Sequence, residues 1–410
     1  MTGSQAGAGA WRPALVWAAL GGLSYAASLG LARWPGFTEA VYANGLGPLL
    51  TRPLSRLTGV LPFAVGELLA SIYLVGLVTL LVHASLQVLR RRRSFRAALG
   101  AGVRRVLLHA GVLATLFYVL WGFNYARAPF LERSGWPEWS GVEAEELARL
   151  AAAAVAASDS AYLRLHGTED AGRPTAMPAR PDALEEALTA GWAEAAGRLA
   201  LDAHVADVYG RAKRPWSSGV LARLGIAGIY FPFTAEANVI RDLPAVSAAH
   251  SIAHEKAHQR GVANEAEASF LGFVAAALAP DPLARYSAAV FASRQLTAAL
   301  ARSDREAARA LEAGRLPGVR RDLADLGAFW DRFRGVGTRV GTAVNDRYLR
   351  AHGVPGGVAS YALSVRLLIE LARRSGEAVP SPAGPAEAAS TDLLDSTSGS
   401  PGPGTRGGSA

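Results

Sequence analysis

Apolar residues run almost unbroken through three stretches of the first 125 positions, and afterwards they recur only at helical intervals. The first stretch, Pro13 to Ala32, is about 20 residues long, enough for a helix to cross a hydrocarbon layer of roughly 30 Å. Trp11, Trp17 and Trp34 can anchor its ends at the two interfaces. The alanine-rich passage around Ala26 and Ala27 would also suit a cleaved signal peptide. Two further spans, Glu67 to Leu89 and Val103 to Phe123, make a three-helix membrane anchor over residues 1–125 the leading expectation.

Beyond Trp136 the pattern turns amphipathic. Ser140-Gly141-Val142-Glu143 has capping-box spacing ahead of a helix over 143–157, and Asp182 to Leu201 follows as a second helix after a loop rich in Gly and Pro. Ile229 to Thr234 and Glu236 to Ile240 are aromatic and β-branched, which predicts one or two short strands, with Pro232 confining its strand to an edge or a bulge. An edge strand could accept an extended peptide; a core strand is the equal alternative. Helical patterns return over 265–279, 283–311, 319–350 and 360–374, with Trp330, Phe333 and Val336 on one buried face. Residues 376–410 are mostly Pro, Gly, Ser, Ala and Thr and read as a disordered tail. The expected fold is mainly α: three N-terminal transmembrane helices, then a helical, zincin-like α+β domain over residues 126–375 with a small β element.

Charge fixes an orientation. The net +8 is densest at Arg90 to Arg93, followed by Arg96, Arg104 and Arg105, between the second and third spans. Such a cluster reads as a cytoplasmic loop rather than a nucleic-acid surface, so the amino terminus is expected inside and everything after Phe123 outside a plasma (inner) membrane crossed several times. Glu67 is expected at the outer interface, and neither it nor His83 points to a proton relay. With no cysteine in 410 residues, disulfides and thiolate metal sites are excluded, and any metal must be held by His, Asp or Glu.

Chemistry concentrates in Ala248 to Phe273. In His254-Glu255-Lys256-Ala257-His258 the two histidines share one helix face and can present nitrogens to one zinc ion, with Glu255 beside them as the general base. Gly261 is placed to end that helix in a left-handed conformation, and Asn264 to cap the next one, putting Glu265 and Glu267 in its first turn. Two histidines and one carboxylate make the open, catalytic type of zinc site, for which both glutamates compete. His250 extends the row, but its ends are about 12 Å apart at 1.5 Å per residue, so one ion cannot take all three. The pair His250 and His254 would leave Glu255 and Gly261 without a purpose, so His250 is expected to be a neighbour or a helix-start residue.

His254-Glu255-x-x-His258-Gln259-Arg260-Gly261 followed by Glu265-x-Glu267-Ala268 resembles the core of an uncharacterised bacterial family of three-span membrane proteins with a zincin-type extracytoplasmic domain, a domain-of-unknown-function family. Trp121-Gly122-Phe123-Asn124-Tyr125, Gly228 to Thr234 with Glu236-Ala237-Asn238-Val239, Asn345-Asp346-x-Tyr348-Leu349 and Ser360-Tyr361 agree, so the likeness covers about residues 10 to 375. Glu265-Ala266-Glu267-Ala268-Ser269 is also similar to the E-x-x-A-D or E-x-x-A-N element of gluzincin peptidases. There the first Glu binds zinc, which implies Glu265 here, while Ser269 replaces the Asp or Asn that supports a ligand histidine. The interval from His258 to Glu265 is much shorter than in those peptidases, so the likeness concerns the motif.

The expected activity is that of a zinc-dependent metallopeptidase: zinc held by His254, His258 and Glu265, Glu255 moving the proton, a peptide or protein as substrate and the bilayer as anchor. Tyr361, after a glycine turn, is a candidate donor to the oxyanion. The rivals are a catalytically silent binding or structural membrane protein with the same fold, and a zinc amidase acting on cell-wall material.

Overall fold

The computed structural model describes residues 3–137, 139–335, 337–341, 343, 347 and 361–382. The chain is mainly helical, with three apolar helices at its start and one small sheet. Among the described residues three helices are long and apolar enough to cross a membrane: α1 (Gly3–Leu31, apolar from Gly9), α3 (Val65–Leu89) and α4 (Phe95–Leu120), with α2 (Gly47–Gly59) between the first two. The third span begins earlier than the hydropathy pattern suggests, so Arg96, Arg104 and Arg105 lie within α4 and only Arg90 to Arg93 form the connection. Ser94 starts α4, its hydroxyl accepting from the Ala97 N–H.

Helices α1 and α4 run side by side in the same direction. A Cβ on Gly111 would stand 2.2 Å from the Trp17 carbonyl, and one on Gly21 would stand 3.0 Å from the Gly111 carbonyl, so only glycine allows this approach. Arg104 reaches the Ala10 carbonyl near one end and Tyr25 meets Tyr118 near the other. Helix α3 touches α4 through Tyr73 and His109 but otherwise exposes its apolar side chains. The arginine turn and the amino terminus therefore share one end of the three helices, and the rest of the chain sits at the other.

A segment without a strong sequence signal ties the two parts together. Residues Thr38–Leu46 form a π-helical stretch that runs into α2. At the end of α2, the buried Lys213 ammonium donates to the carbonyls of Thr58, Gly59 and Leu61, at and just beyond the last turn, where the helix's own i+4 donors run out. At the start of α3, the Glu236 carboxylate accepts from the N–H groups of Val65 (3.0 Å) and Gly66 (2.7 Å), a charge matched to the helix dipole. Glu67, in the first turn of α3, accepts from the N–H groups of Trp216 and Ser217.

The rest is built on α7 (Ala245–Gln259) and α8 (Glu265–Leu278), both almost wholly buried. Around them lie α5 (Ala144–His166), α6 (Pro181–Arg198), α9 (Pro282–Ser303), α10 (Arg305–Gly314), α11 (Pro317–Asp331) and α12 (Tyr361–Ser375). Strands β1 (Gly228–Phe231) and β2 (Glu236–Val239) pair antiparallel, Gly228 opposite Val239 and Phe231 opposite Glu236. Pro232 falls in the turn between them rather than in a strand. Lys213 pairs with β2 from the other side, so β2 is central and β1 forms an edge with no further strand among the described residues.

Other expectations change in detail. The capping box at Ser140 does not form: the helix begins at Ala144 with no side-chain cap, and the Ser140 hydroxyl accepts from Arg373 instead. That helix continues to His166, where Gly167 ends it at φ 67°. The expected helix over 283–311 is two, because the Asp304 side chain caps a new helix by accepting from the Ala307 N–H. Val336, Asn345, Asp346, Tyr348 and Ser360 lie outside the described residues, as does nearly all of the expected tail over 376–410.

Candidate metal centre

Helix α7 delivers His254 and His258 from successive turns, and Gly261 then reverses the chain at φ 83°. The Asn264 side chain caps α8, accepting from the N–H groups of Ala266 (2.9 Å) and Glu267 (3.2 Å), which sets Glu265 at the first turn of α8, opposite the two histidines. Helix α8 crosses close to α7: a Cβ on Gly272 would lie 2.8 Å from the His254 backbone nitrogen.

Three atoms converge. His258 Nε2 lies 3.1 Å from His254 Nε2, and Glu265 Oε2 lies 3.3 Å from His254 Nε2 and 3.6 Å from His258 Nε2. Ligand atoms of a tetrahedral zinc ion with bonds of about 2.0–2.1 Å stand about 3.3 Å apart, so the donor set fits such an ion. Among the described residues this is the only group of three or more His, Cys, Asp or Glu side chains that can hold a metal in this way.

The distal ring nitrogens are occupied elsewhere. His258 Nδ1 donates to the Val262 carbonyl at 2.7 Å, which leaves its Nε2 lone pair directed at the cluster when the ring is neutral. His254 Nδ1 is 3.1 Å from the Ser269 hydroxyl, so Ser269 occupies the supporting position that the sequence likeness assigns to an Asp or Asn. Burial pushes the His258 imidazole pKa down, but the adjacent Glu265 carboxylate outweighs it and lifts the value to about 9. Burial pushes Glu265 up, and the two histidines more than reverse this, holding it well below the usual carboxylate range.

Glu255 is buried behind the cluster, and among the described residues no group donates a hydrogen bond to its carboxylate. Burial raises its pKa to about 7, against the opposing pull of His254 and His258. Strand β1 passes directly over it: a Cβ on Gly228 would stand 2.5 Å from Glu255 Oε1.

The other candidates separate. Glu267 turns away from the cluster, accepting from the Phe130 N–H at 2.7 Å and approaching Arg133 at 3.5 Å, within a network that also holds Arg127, Glu39 and Asp202. His250 Nε2 donates to the Ser269 carbonyl while its ring stacks on Phe291 at 3.9 Å; burial lowers its pKa to about 3, so the ring is neutral. Tyr361 begins α12, but its side chain lies outside the described residues. Two contributors carry no signal in their spacing. Gly228 makes room for the Glu255 carboxylate, and Trp121, just past α4, donates from Nε1 to the His258 carbonyl at 3.0 Å.

Fold and site together describe a helical protein with three candidate membrane-spanning helices and a His-His-Glu cluster on two crossing helices. Over residues 42–369 the chain matches the family described as Protein of unknown function (DUF3810), and it belongs to that family. No curated protein and no solved structure matches it.

Proposed function

We propose that this protein is a membrane-anchored zinc metallopeptidase that hydrolyses peptide bonds on the extracytoplasmic side. The observation that carries the reading is the meeting of His254 Nε2, His258 Nε2 and Glu265 Oε2 within 3.6 Å of one another beside the buried Glu255. A zinc ion bound there supplies a Lewis acid that acidifies water and polarises a carbonyl. The chain's own residues do the rest. Glu255, buried beside the cluster, takes a proton from the attacking water and returns it to the leaving amine. His258 and His254 are held in place by Val262 and Ser269, so neither has to reorganise during turnover.

Strand β1 supports a peptide as the substrate. The Ile240 N–H donates to the Ala227 carbonyl, so by the alternation of an antiparallel pair Ile229 and Phe231 bond to β2, while the backbone groups of Gly228 and Tyr230 face the open edge. An extended peptide paired there would run past Glu255. The arginine turn at the far end of the spanning helices favours the cytoplasm for that end and the extracytoplasmic side for the cluster.

The test is metal content and peptide cleavage by the full chain and by Glu255→Gln. Zinc bound by both, with hydrolysis by the parent alone, is the expected result. Metal retained with no hydrolysis by either would favour a binding protein, and cleavage confined to cell-wall amides would favour an amidase.

A further inference from the structure

The site lies at the height of the helix ends that enter the membrane, and three separate contacts fix that height. Trp121 immediately follows α4; besides its hydrogen bond to the His258 carbonyl, its ring centre is 6.1 Å from the His258 ring. The Phe231 ring lies against the first turn of α3, where a Cβ on Gly66 would stand 2.3 Å from it. The Trp216 N–H is bonded to Glu67 in that same turn. The end of strand β1, the loop at Trp216 and the C-terminal end of the metal helix are therefore pinned level with the first turn of one span and the last turn of another.

At that level the chain exposes apolar side chains that no described element covers. Val60 is 83 % exposed, Leu61 40 % and Phe63 38 %, all within five residues of the start of α3; Trp216 is 52 % and Ile229 41 % exposed. Ile229 and Phe231 share one face of β1, and Phe231 shows that this face looks toward α3. Tyr230, on the other face, packs on Trp121 at 5.5 Å. The apolar rim is thus continuous with the lipid-facing surface of a spanning helix. A tryptophan and aliphatic side chains at that depth suit the boundary between headgroups and acyl chains.

We infer that this rim rests in the headgroup layer, so that the open edge of β1 and the metal cluster face the bilayer surface. The substrate is then a polypeptide tethered in the same membrane and cut a few residues from its anchor, rather than a free soluble peptide. The substrate half of this inference rests on the hydrolase reading; the contact with lipid does not.

The absence of cysteine allows single-site labelling of the full chain. Trp216→Cys and Ile229→Cys would carry a spin label in phosphatidylethanolamine and phosphatidylglycerol vesicles, with Leu74→Cys on α3 as the lipid reference and the exposed Glu306→Cys as the aqueous one. Collision rates with oxygen and with anionic chromium oxalate, which does not compete for imidazoles, report depth. Oxygen should dominate at positions 216 and 229 as it does at 74, with the reverse at 306. Chromium-dominated rates at both 216 and 229 would overturn the contact. Acyl-anchored peptides with the scissile bond about 5 or about 30 residues from the lipid then test the substrate, because a flexible spacer of the longer kind lifts the bond well clear of the surface. The short spacer should be cleaved at least about tenfold faster. Equal rates, or a preference for the long spacer, would overturn the substrate class. No cleavage of either, with immersion intact, would reject the hydrolase reading and the substrate class with it, and leave the lipid contact standing.

Discussion

Glu255 Oε1 occupies the space that a side chain on Gly228 would need, 2.5 Å from where its Cβ would stand. The edge strand can lie this close to the proposed general base only because position 228 is glycine. Gly228→Ala must push the carboxylate or the strand aside, and a displacement of about 1 Å at a reacting group costs on the order of 100-fold in rate. Peptide hydrolysis should fall by about that factor while zinc content stays at the parental level. Loss of zinc together with activity would mean that the strand, not the carboxylate, had moved the cluster.

Ser269 gives a graded test of the metal assignment. Its hydroxyl orients His254 through Nδ1, and removing a group in that role usually weakens metal binding 10- to 100-fold. Ser269→Ala should fall near the lower end of that range, because a hydroxyl is a weaker partner than a carboxylate. Ser269→Asp should bind zinc more tightly than the parent. Competition titration against a chromophoric chelator reads both, and equal affinity in all three proteins would count against His254 as a ligand.

What the sequence reveals about the site is what depends on nearest neighbours. Gly261 and Asn264 were legible because a left-handed helix stop and an Asx cap are local events, and both occur where expected. The three spans were legible for the same reason: about 20 apolar residues fix a helix whatever lies beside it. Competition from distant partners is what hides the rest. Ser140 does not cap α5, which starts only at Ala144; its hydroxyl instead meets Arg373, more than 200 positions later. Glu265 and Glu267 both sit in the first turn of α8, and only the crossing of α8 over α7 turns one toward the histidines and the other toward Arg133 and Phe130. The segment from Thr38 to Gly59 hides its role because the face of α2 that is buried is small and polar, Pro48, Thr51, Ser55 and Thr58, while Leu49 and Leu57 stay exposed; its carbonyls and hydroxyls serve Lys213, Gln259 and Gly210.

The crossing of α7 and α8 is the structural element most exposed to a single methyl group. Alanine in a helix is ordinarily favoured over glycine by about 1 kcal/mol. At position 272, however, the added Cβ would lie 2.8 Å from His254 N and 3.0 Å from Ala253 C, both backbone atoms that cannot swing away. Overpacking of this kind costs about 1–3 kcal/mol, so Gly272→Ala should lower the thermal midpoint despite its better helix propensity. Because the strain falls on His254, zinc affinity should drop as well. A midpoint at or above the parental value would show that the two helices separate without cost.

The fall of stability with rising pH should flatten when metal is added. In the metal-free protein, His258 titrates at about 9, above the roughly 6.5 of a free imidazole, so its contribution is complete below about 6.5 and is lost as pH rises through about 9. Glu255, raised to about 7 from an unfolded value near 4.5, works in the same direction over the interval below it. Below about pH 6.5 the buried, neutral His250 works the other way, so metal-free protein should lose thermal stability chiefly between about pH 6.5 and 9. Zinc must displace the His258 proton, so its apparent affinity should rise roughly tenfold per pH unit up to about 9. Its stabilisation grows with the logarithm of that affinity. Thermal midpoints of chelator-treated and zinc-loaded full-length protein should thus diverge as pH increases, with about one proton released per zinc near neutrality in calorimetry across buffers of different ionisation enthalpy. In Glu255→Gln the divergence should remain, since the His258 proton is still there for zinc to displace. A constant gap between the two forms across this range would mean that His258 carries no proton for a metal to displace, and the convergence of its Nε2 on Glu265 would need another explanation.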